Sequence, residues 1–394
     1  MKTLMIMRSQ AGVPGGAGVP GGQIGMIQVA RALPSLGTQV SLFVGGPRMA
    51  YFAGLDDLQP SYLRWPAWLD NAIAAAPGGV RTAGRRLRRR RWLAAVTKPP
   101  EFADADTIHV QGLEDTEALL GHADGPIVVT HWGRVGRWLP TGTDEAADEA
   151  LARRLSRIRA GTRIVAIGQA QAQALADAGL PPSAVIPPGI DLEHFTPGDR
   201  DRARRALELT SDERIVLYVG RLAADKNVET LLAAFANISR KIGNSRLLIV
   251  GDGPVRQELQ RESVRLGIDG SVTFLRFVPH DRLPAYYRAA DVAAVPSNLL
   301  ETFCMVALEA IACGCPLVVT DQVPEILRDF PDVPSVSPYD VTGFEERLAE
   351  ALRGRLPPAD NTRVSDYAWS AIARRYADLY QTARRRGSGD VPTR

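Results

Sequence analysis

Residues Glu301–Glu309 read E-T-F-C-M-V-A-L-E, and an apolar run carries on from them to Thr320. A buried-looking strand, Val292 to Val295, precedes them, followed by a turn-like Pro296-Ser297-Asn298. Apolar spacing predicts a helix from about Phe303 to Cys313, stopped by Gly314, and Pro316 opens a second strand, Leu317 to Thr320. Strand, loop, helix and strand in that order put the first helical turn at the carboxyl edge of a parallel sheet. Ligands of open α/β sheets bind at that edge. A helix start offers unpaired N–H groups and a positive dipole end, which suit a phosphate. Glu301 precedes that start, and Glu309 follows about two turns further in. Carboxylates would repel a phosphate, so this pair suggests acceptors for hydroxyl groups beside it. The implied ligand carries phosphates and sugar hydroxyls. Taken alone, the nine residues also read as an amphipathic helix with two exposed glutamates; their neighbours decide.

Working outward, the second half of the chain alternates strand and helix. A strand at Ile215 to Val219 runs into Gly220-Arg221-Leu222-Ala223-Ala224-Asp225-Lys226-Asn227, and a helix follows from Val228 to Ala236. Arg221 and Lys226 thus share one strand-to-helix loop, a place to clamp a diphosphate. The next strand, Leu247 to Val250, leads into Gly251-Asp252-Gly253-Pro254 and a helix. Val272 to Leu275 is a strand followed by Val278-Pro279-His280, and a helix over Leu283 to Ala290 leads back to the opening stretch. Helical patterns at Phe344 to Arg353 and Ser365 to Arg385 follow, and the tail from Gly387 is expected to be disordered.

The first half alternates in the same way. Thr3 to Met7 and Val40 to Val44 are strands around a glycine- and proline-rich loop, Ser9 to Gly22, and a helix from Ile24 to Leu36. Gly16, Gly18 and Gly21 satisfy G-x-G-x-x-G by spacing, yet the loop is long, Pro20 interrupts it, and no acid caps the second strand. Gly21 and Gly22, directly before the helix, are better placed for close backbone approach to an anion or sugar; a flexible surface loop is the competing reading. Strands at Thr107 to Val110 and Ile127 to Thr130 end beside Glu114 and Asp115, and beside His131. Glu114 and Asp115 would face the crevice, and a histidine at that edge can bond a hydroxyl or a backbone carbonyl, although a lone histidine is usually structural. Asp104 and Asp106 form a D-x-D at the wrong end of their strand for a metal site. A helix from Ala150 to Arg159, a strand from Arg163 to Ile167 and a helix from Ala170 to Ala178 precede Val185 to Gly198, whose prolines and glycines mark a boundary. The predicted domains are 1–186, a linker at 187–198, 199–364, a C-terminal helix at 365–385 that crosses back to the first domain, and a tail at 386–394.

Composition bounds the rest. With 394 residues, 45% hydrophobic and 23% charged, the chain is that of a globular protein of two domains, and its net charge of +3 does not demand nucleic acid. Lysine occurs four times among 47 basic residues, so Lys226 in a loop stands out. The three cysteines, Cys304, Cys313 and Cys315, offer no disulfide framework and no paired zinc spacing. Cys313 and Cys315 read as core; Cys304, at a helix start, reads as buried or as a thiol of lowered pKa. No apolar run approaches a membrane span or a secretory signal, which predicts a cytoplasmic protein. Seven arginines between Arg81 and Trp92, with Leu87, Trp92 and Leu93 interleaved, form either a solvated helix or a surface for an anionic membrane or nucleic acid. The solvated helix is the preferred reading.

Together the motifs resemble those of the retaining nucleotide-sugar glycosyltransferases of family 4. They are V-P-G-G at Val19 to Gly22, T-H at Thr130-His131, P-P-G-I-D at Pro187 to Asp191 and V-G-R-x-x-x-x-K at Val219 to Lys226. V-G-D-G-P at Val250 to Pro254, A-D-V-x-x-x-P-S at Ala290 to Ser297 and the glutamates Glu301 and Glu309 complete the set. The resemblance implies an α/β fold of GT-B type, two Rossmann-like domains facing a central cleft, with the acceptor bound by the first and the nucleotide sugar, UDP-linked by expectation, by the second. It implies that Arg221 and Lys226, beside Gly220 and Gly251, hold the diphosphate. Glu309 would take ribose hydroxyls, and Glu301 those of the transferred sugar. Backbone groups at Phe303, Cys304 and Met305 would meet donor oxygens, Val278 would read the base through its main chain, and His131 would bond the moving sugar. Gly21 and Gly22 would approach the phosphates. No metal or other cofactor is implied, and no side-chain nucleophile is evident. The chain departs from the family where Cys304 replaces a usual glycine, and where Gln322-Val323-Pro324-Glu325 replaces a usual Gly-Gly. Glu114 and Asp115, with Glu101, suit a cationic acceptor such as an amino sugar or aminocyclitol, which resembles the enzymes of aminoglycoside biosynthesis. A lipid-linked acceptor approached through the arginine run, and a non-enzymatic lipid- or nucleic-acid-binding module, are the alternatives.

Overall fold

A computed structural model describes residues 1–8, 21–45, 58, 61–63, 92–111, 116, 119–132, 156–158 and 162–387. The described chain divides into two compact units. One holds the residues up to Gly189 together with those from Trp369 onward, and the other holds Ile190–Ala368.

In the first unit the described strands are β1 (Lys2–Arg8), β2 (Gln39–Gly45), β3 (Ser61–Leu63), β4 (Thr107–Gln111), β5 (Ile127–Thr130), β6 (Thr162–Ala166) and β7 (Ala184–Val185). They pair in parallel in the order β3-β2-β1-β4-β5-β6-β7. Continuous apolar runs such as Ile127–Thr130, buried at every position, mark strands covered on both faces. Helix α1 (Gly21–Ala32) packs Met26, Val29 and Ala30 into the core. Gly25 admits the indole of Trp132 there: a Cβ would lie 2.3 Å from the ring. Gly21 and Gly22 open α1 rather than precede it. Helix α2 (Gln169–Asp177) follows β6.

The last helix, α10 (Trp369–Gly387), belongs to this unit and supplies Ile372, Ala373, Tyr376 and Tyr380 to its core. Its hydroxyls meet a buried polar cluster. His109 on β4 bonds Tyr380 Oη at 2.6 Å and Thr130 Oγ1 at 2.8 Å, and Tyr376 Oη lies 3.0 Å from Thr130 Oγ1. Burial pushes the His109 imidazole down to about 3, so the ring is neutral and donates at one nitrogen while accepting at the other. Asp106 of the D-x-D accepts the Lys2 N–H at 2.8 Å and pairs with Arg384 at 3.1 Å, so it ties β1 and α10 to the turn before β4. Trp92 is 1% exposed and packs with Phe102 and Ile108. That takes Trp92 out of both readings of the arginine run, the preferred solvated helix and the alternative membrane surface: the indole is core. The rest of the arginine run, Arg81 to Arg91, lies outside the described residues.

The second unit repeats the arrangement with β8 (Arg214–Val219), β9 (Ser245–Val250), β10 (Val272–Leu275), β11 (Val292–Val295), β12 (Leu317–Thr320) and β13 (Ser335–Val336), in the order β10-β9-β8-β11-β12-β13, all parallel. The helices are α3 (Arg200–Ala206), α4 (Val228–Lys241), α5 (Arg256–Arg265), α6 (Leu283–Ala289), α7 (Met305–Ala312), α8 (Pro324–Asp329) and α9 (Val341–Leu352). Two cores cover the sheet, one under α6, α7 and α8, the other under α4, α5 and α9. The strand order reverses between β8 and β11, and in doubly wound sheets the crevice at that point takes the ligand. The loops leaving β8 and β11 are those that carry Arg221, Lys226 and Glu301.

Among the described residues no helix is long and apolar enough to cross a membrane.

Candidate active site

The site is built where loops leave the carboxyl ends of β8, β9, β11 and β12. The first two are fused through their backbones. Gly220 N donates to Val250 O at 3.0 Å, and Leu222 N to Asp252 O at 2.9 Å. Gly251 has φ +143°, and a Cβ there would fall 1.9 Å from Gly220 O, so no side chain fits without separating the loops. Gly251→Ala is therefore expected to cost about 3 kcal/mol or more, from overpacking plus strain. Thermal melts would show it as a drop of roughly 6–12 °C.

Above this seam, Tyr218 Oη holds Arg221 O at 3.0 Å, and the chain turns through Ala224–Lys226 to Asn227, which takes the left-handed conformation at φ 50°. Asn227 Nδ2 donates to Pro296 O at 3.2 Å, and Asn298 donates through its N–H to Asp225 O and through Nδ2 to Ala224 O, both at 3.2 Å. The β8 and β11 loops are thereby held together. The β12 loop joins them: Thr320 Oγ1 donates to Ser297 O at 2.7 Å, and Glu301 N to Gln322 O at 2.8 Å.

This frame sets the charges. Lys226 Nζ donates to Glu301 Oε1 in an ion pair, and Ser297 Oγ donates to the same oxygen at 2.6 Å. The pair keeps 24% and 13% of its side-chain surface, so Glu301 is no solvated glutamate. Among the described residues Glu301 Oε2 carries no donor. Arg221 reaches both oxygens of Asp225, at 2.9 and 3.0 Å, with more than half of its side chain exposed for further acceptors. Glu309, on the inner face of α7, is 4% exposed. Its Oε2 accepts from Tyr287 Oη at 2.7 Å and its Oε1 from His280 Nε2 at 2.9 Å. The alternative of two exposed glutamates on a surface helix is thus set aside.

Helix α7 begins at Met305 rather than Phe303. Cys304 is its N-cap, with φ −99° and ψ 89°, so Phe303 and Cys304 lie before the helix. The apolar pattern ran through both residues and hid the boundary. Cys304 is 6% exposed, and burial, reinforced by the charge of Glu301, pushes its thiol up to about 12. That settles its reading as a buried thiol rather than an activated one. Cys313 and Cys315 are buried, as expected for core residues. Val278 is half-buried and packs on the core under α7.

Of the predicted site residues, the second unit brings together Gly220, Arg221, Lys226, Gly251, Glu301 and Cys304, with Phe303 and Met305 adjacent in the chain. Gly21, Gly22 and His131 belong to the first unit. His131 is 8% exposed directly after β5, its N–H on Val165 O at 3.1 Å and its C=O accepting from Gln171 at 3.0 Å. Glu114 and Asp115 lie outside the described residues. Sequence reasoning missed Ser297, Asn298, Tyr287 and His280 as partners of the predicted groups. Only the position of His280 at the sheet's carboxyl edge hinted at its part. Among the described residues no cluster of three or more histidine, cysteine or acidic side chains could hold a metal ion.

Residues 19–194 match the family described as Glycosyltransferase Family 4, and residues 199–368 match Glycosyl transferases group 1. Between them the matches take in most of the chain, which belongs to these glycosyltransferases. A D-inositol 3-phosphate glycosyltransferase of Segniliparus rotundus is 36% identical over 220 residues, 52% of this chain and 48% of that protein. One from Mycobacterium tuberculosis is 36% identical over 229 residues, 52% and 46% of the two chains. The chain spans about half the length of these curated relatives. Among solved structures, sucrose-phosphate synthase of Thermosynechococcus elongatus superposes with a TM-score of 0.65 at 22% identity, covering 96% of this chain and 98% of that one. A glycosyltransferase of Rickettsia africae gives 0.71 at 13% identity, with 97% and 98% covered. HepE of Anabaena, solved with UDP-glucose, gives 0.65 at 18% identity over 98% of both chains. These likenesses show the GT-B type of fold.

Proposed function

We propose that the chain is a retaining glycosyltransferase that moves a hexosyl or aminohexosyl group from a UDP-sugar to a hydroxyl of a small cyclitol acceptor. The observation that carries the reading is the Lys226–Glu301 pair at the strand-order reversal, a cation for a diphosphate and a carboxylate for sugar hydroxyls held in one frame. Arg221 and Lys226 take the diphosphate and stabilise the negative charge that grows on it as the glycosidic bond breaks. Glu301 accepts a hydroxyl of the sugar through Oε2, and Glu309 accepts ribose hydroxyls. The start of α7 offers its N–H groups, from Met305 on, to phosphate or sugar oxygens. Gly21 and Gly22 at the start of α1 approach the phosphates, and His131 bonds the transferred sugar. Attack from the face the diphosphate leaves, with that diphosphate as base, retains configuration without a side-chain nucleophile. The charge stabilisation comes from Arg221, Lys226 and the α7 helix start, so the reaction runs without a metal cofactor.

The cyclitol class draws on two supports: acidic Glu114 and Asp115, which suit an amine-bearing ring, and relatives named for inositol 3-phosphate. Mass spectrometry of reactions holding UDP-, GDP- or dTDP-sugars, with an aminocyclitol or an inositol phosphate as acceptor, is expected to find one glycosylated cyclitol. Finding neither transfer nor nucleotide release with any pair would overturn the enzyme reading. Unchanged acceptor KM in Glu114→Gln and Asp115→Asn variants would overturn the amine-bearing acceptor and leave the phosphorylated one.

A further inference from the structure

The two oxygens of Glu309 are held by partners of different exposure. Tyr287 is fully buried in α6 and donates to Oε2 at 2.7 Å. Burial, with the Glu309 charge, raises its hydroxyl well above the ordinary tyrosine value, so it stays a donor at every working pH. His280 comes from the short turn after β10 and donates to Oε1 at 2.9 Å, with 46% of its side chain exposed. One ring neighbour, Phe195, lies 4.8 Å away between centroids. Oε2 is therefore committed, and Oε1 is the oxygen at which another donor can compete.

We propose that His280 is a positioning residue for nucleotide recognition: its proton governs how strongly Glu309 accepts the hydroxyls of a ribose, and with that the preference for ribonucleotide over deoxyribonucleotide donors. The inference rests on the reading that Glu309 accepts ribose hydroxyls. With the imidazole protonated, its bond to Oε1 is charge-assisted, and a neutral hydroxyl competes poorly for that oxygen. With the imidazole neutral, the bond weakens and the hydroxyl gains the carboxylate's full charge. The charged groups around the ring are Glu309 from α7, Asp191 from the segment opening the unit and Asp281 from its own turn; Asp191 is itself bonded by His194 Nδ1 at 2.9 Å. Burial opposes protonation, but the bond to Glu309 and these three carboxylates outweigh it and raise the imidazole above 6.5. The switch thus falls on the alkaline side of 6.5, where nucleotide binding is measurable.

The test compares affinities of the full chain for UDP, GDP, ADP and CDP and their 2′,3′-dideoxy counterparts between pH 6 and 9, by calorimetry. Titration of the diphosphate is common to both members of each pair and cancels in their ratio. For the diphosphate that binds, the ribo-to-dideoxy ratio is expected to rise about tenfold across this range in the native protein. In His280→Gln the ratio should be flat, because glutamine can donate to Oε1 without titrating. The same slope in His280→Gln as in the native protein, or a flat ratio in both, would overturn the proposal. Glu309→Gln separates the underlying reading: a ribo-to-dideoxy preference that survives it, or no binding of any diphosphate to the native protein, removes the ribose role of Glu309 and the inference with it. A stability readout accompanies it. The His280–Glu309 pair stabilises the fold fully below 6.5 and loses that effect as pH rises through the higher folded value, so His280→Gln should lower the Tm at pH 6 and approach native at pH 9.

Discussion

Lys226→Ala is expected to lower kcat/KM for transfer by about 10²- to 10³-fold, the scale for removing one preorganised charge from a site of developing negative charge. Lys226 is held from both sides: Asn227 in a left-handed conformation fixes the turn below it, and Glu301 takes its ammonium. Truncation therefore also leaves a carboxylate of 13% exposure without its cation, adding a positioning loss. Glu301→Gln is the informative companion. It keeps the shape and the Ser297 contact, so affinity for free UDP should change less than about twofold while transfer still falls. Lys226→Ala should weaken UDP and transfer together. Equal loss of UDP affinity in both variants would sink the division of labour between the two residues.

The largest loss of stability is expected at Asp291, 6% exposed at the start of β11. Its Oδ2 accepts from Ile215 N at 2.6 Å and from Arg204 Nη2 at 2.9 Å, and its Oδ1 pairs with Arg200. Arg204 is 2% exposed and spends its remaining donors on Ala289 O at 3.0 Å and Ser211 O at 2.6 Å. Burial and the charge of Arg200 already press the Arg204 pKa downward, and Asp291 is the partner that opposes them. Asp291→Ala strands a buried guanidinium and an N–H at the β8 edge, for about 3–5 kcal/mol. A fall in Tm of roughly 10 °C or more should follow in calorimetry. Asp291→Asn, which keeps one acceptor oxygen, should lose less. A Tm within 2 °C or so of native in Asp291→Ala would refute the account.

How much of this was readable in the chain depends on how local each signal is. The strands Val292–Val295 and Leu317–Thr320 were legible residue for residue, because each is a short, mainly apolar run bounded by turn formers, too short for a helix. The two-residue strands Ala184–Val185 and Ser335–Val336 were not, since pairing at a sheet edge leaves almost no trace in sequence. Helix α3, R-D-R-A-R-R-A, has no apolar stripe to betray it; only Asp199, whose side chain accepts the Arg202 N–H at 2.8 Å, signals its start. Within the site, Arg221, Lys226, Glu301 and Glu309 were legible because their residue types stand out in loops and edges. Tyr287 and His280 were not, because they reach Glu309 across 22 and 29 residues and only the folded sheet brings them there.

The helix α10 has a bearing on how the protein is made. Its Ile372, Tyr376 and Tyr380 complete a core whose members outside the helix lie between Met5 and Ile186, Met26 and Val128 among them. A chain leaving the ribosome exposes that unfinished face while the whole of Ile190–Ala368 is still being synthesised. The usual order, in which the N-terminal body folds first, is therefore inverted for completion: the second unit can close before the first. Until Tyr376 and Tyr380 emerge, His109 and Thr130 have only each other, and the nascent first unit is a natural client for chaperones.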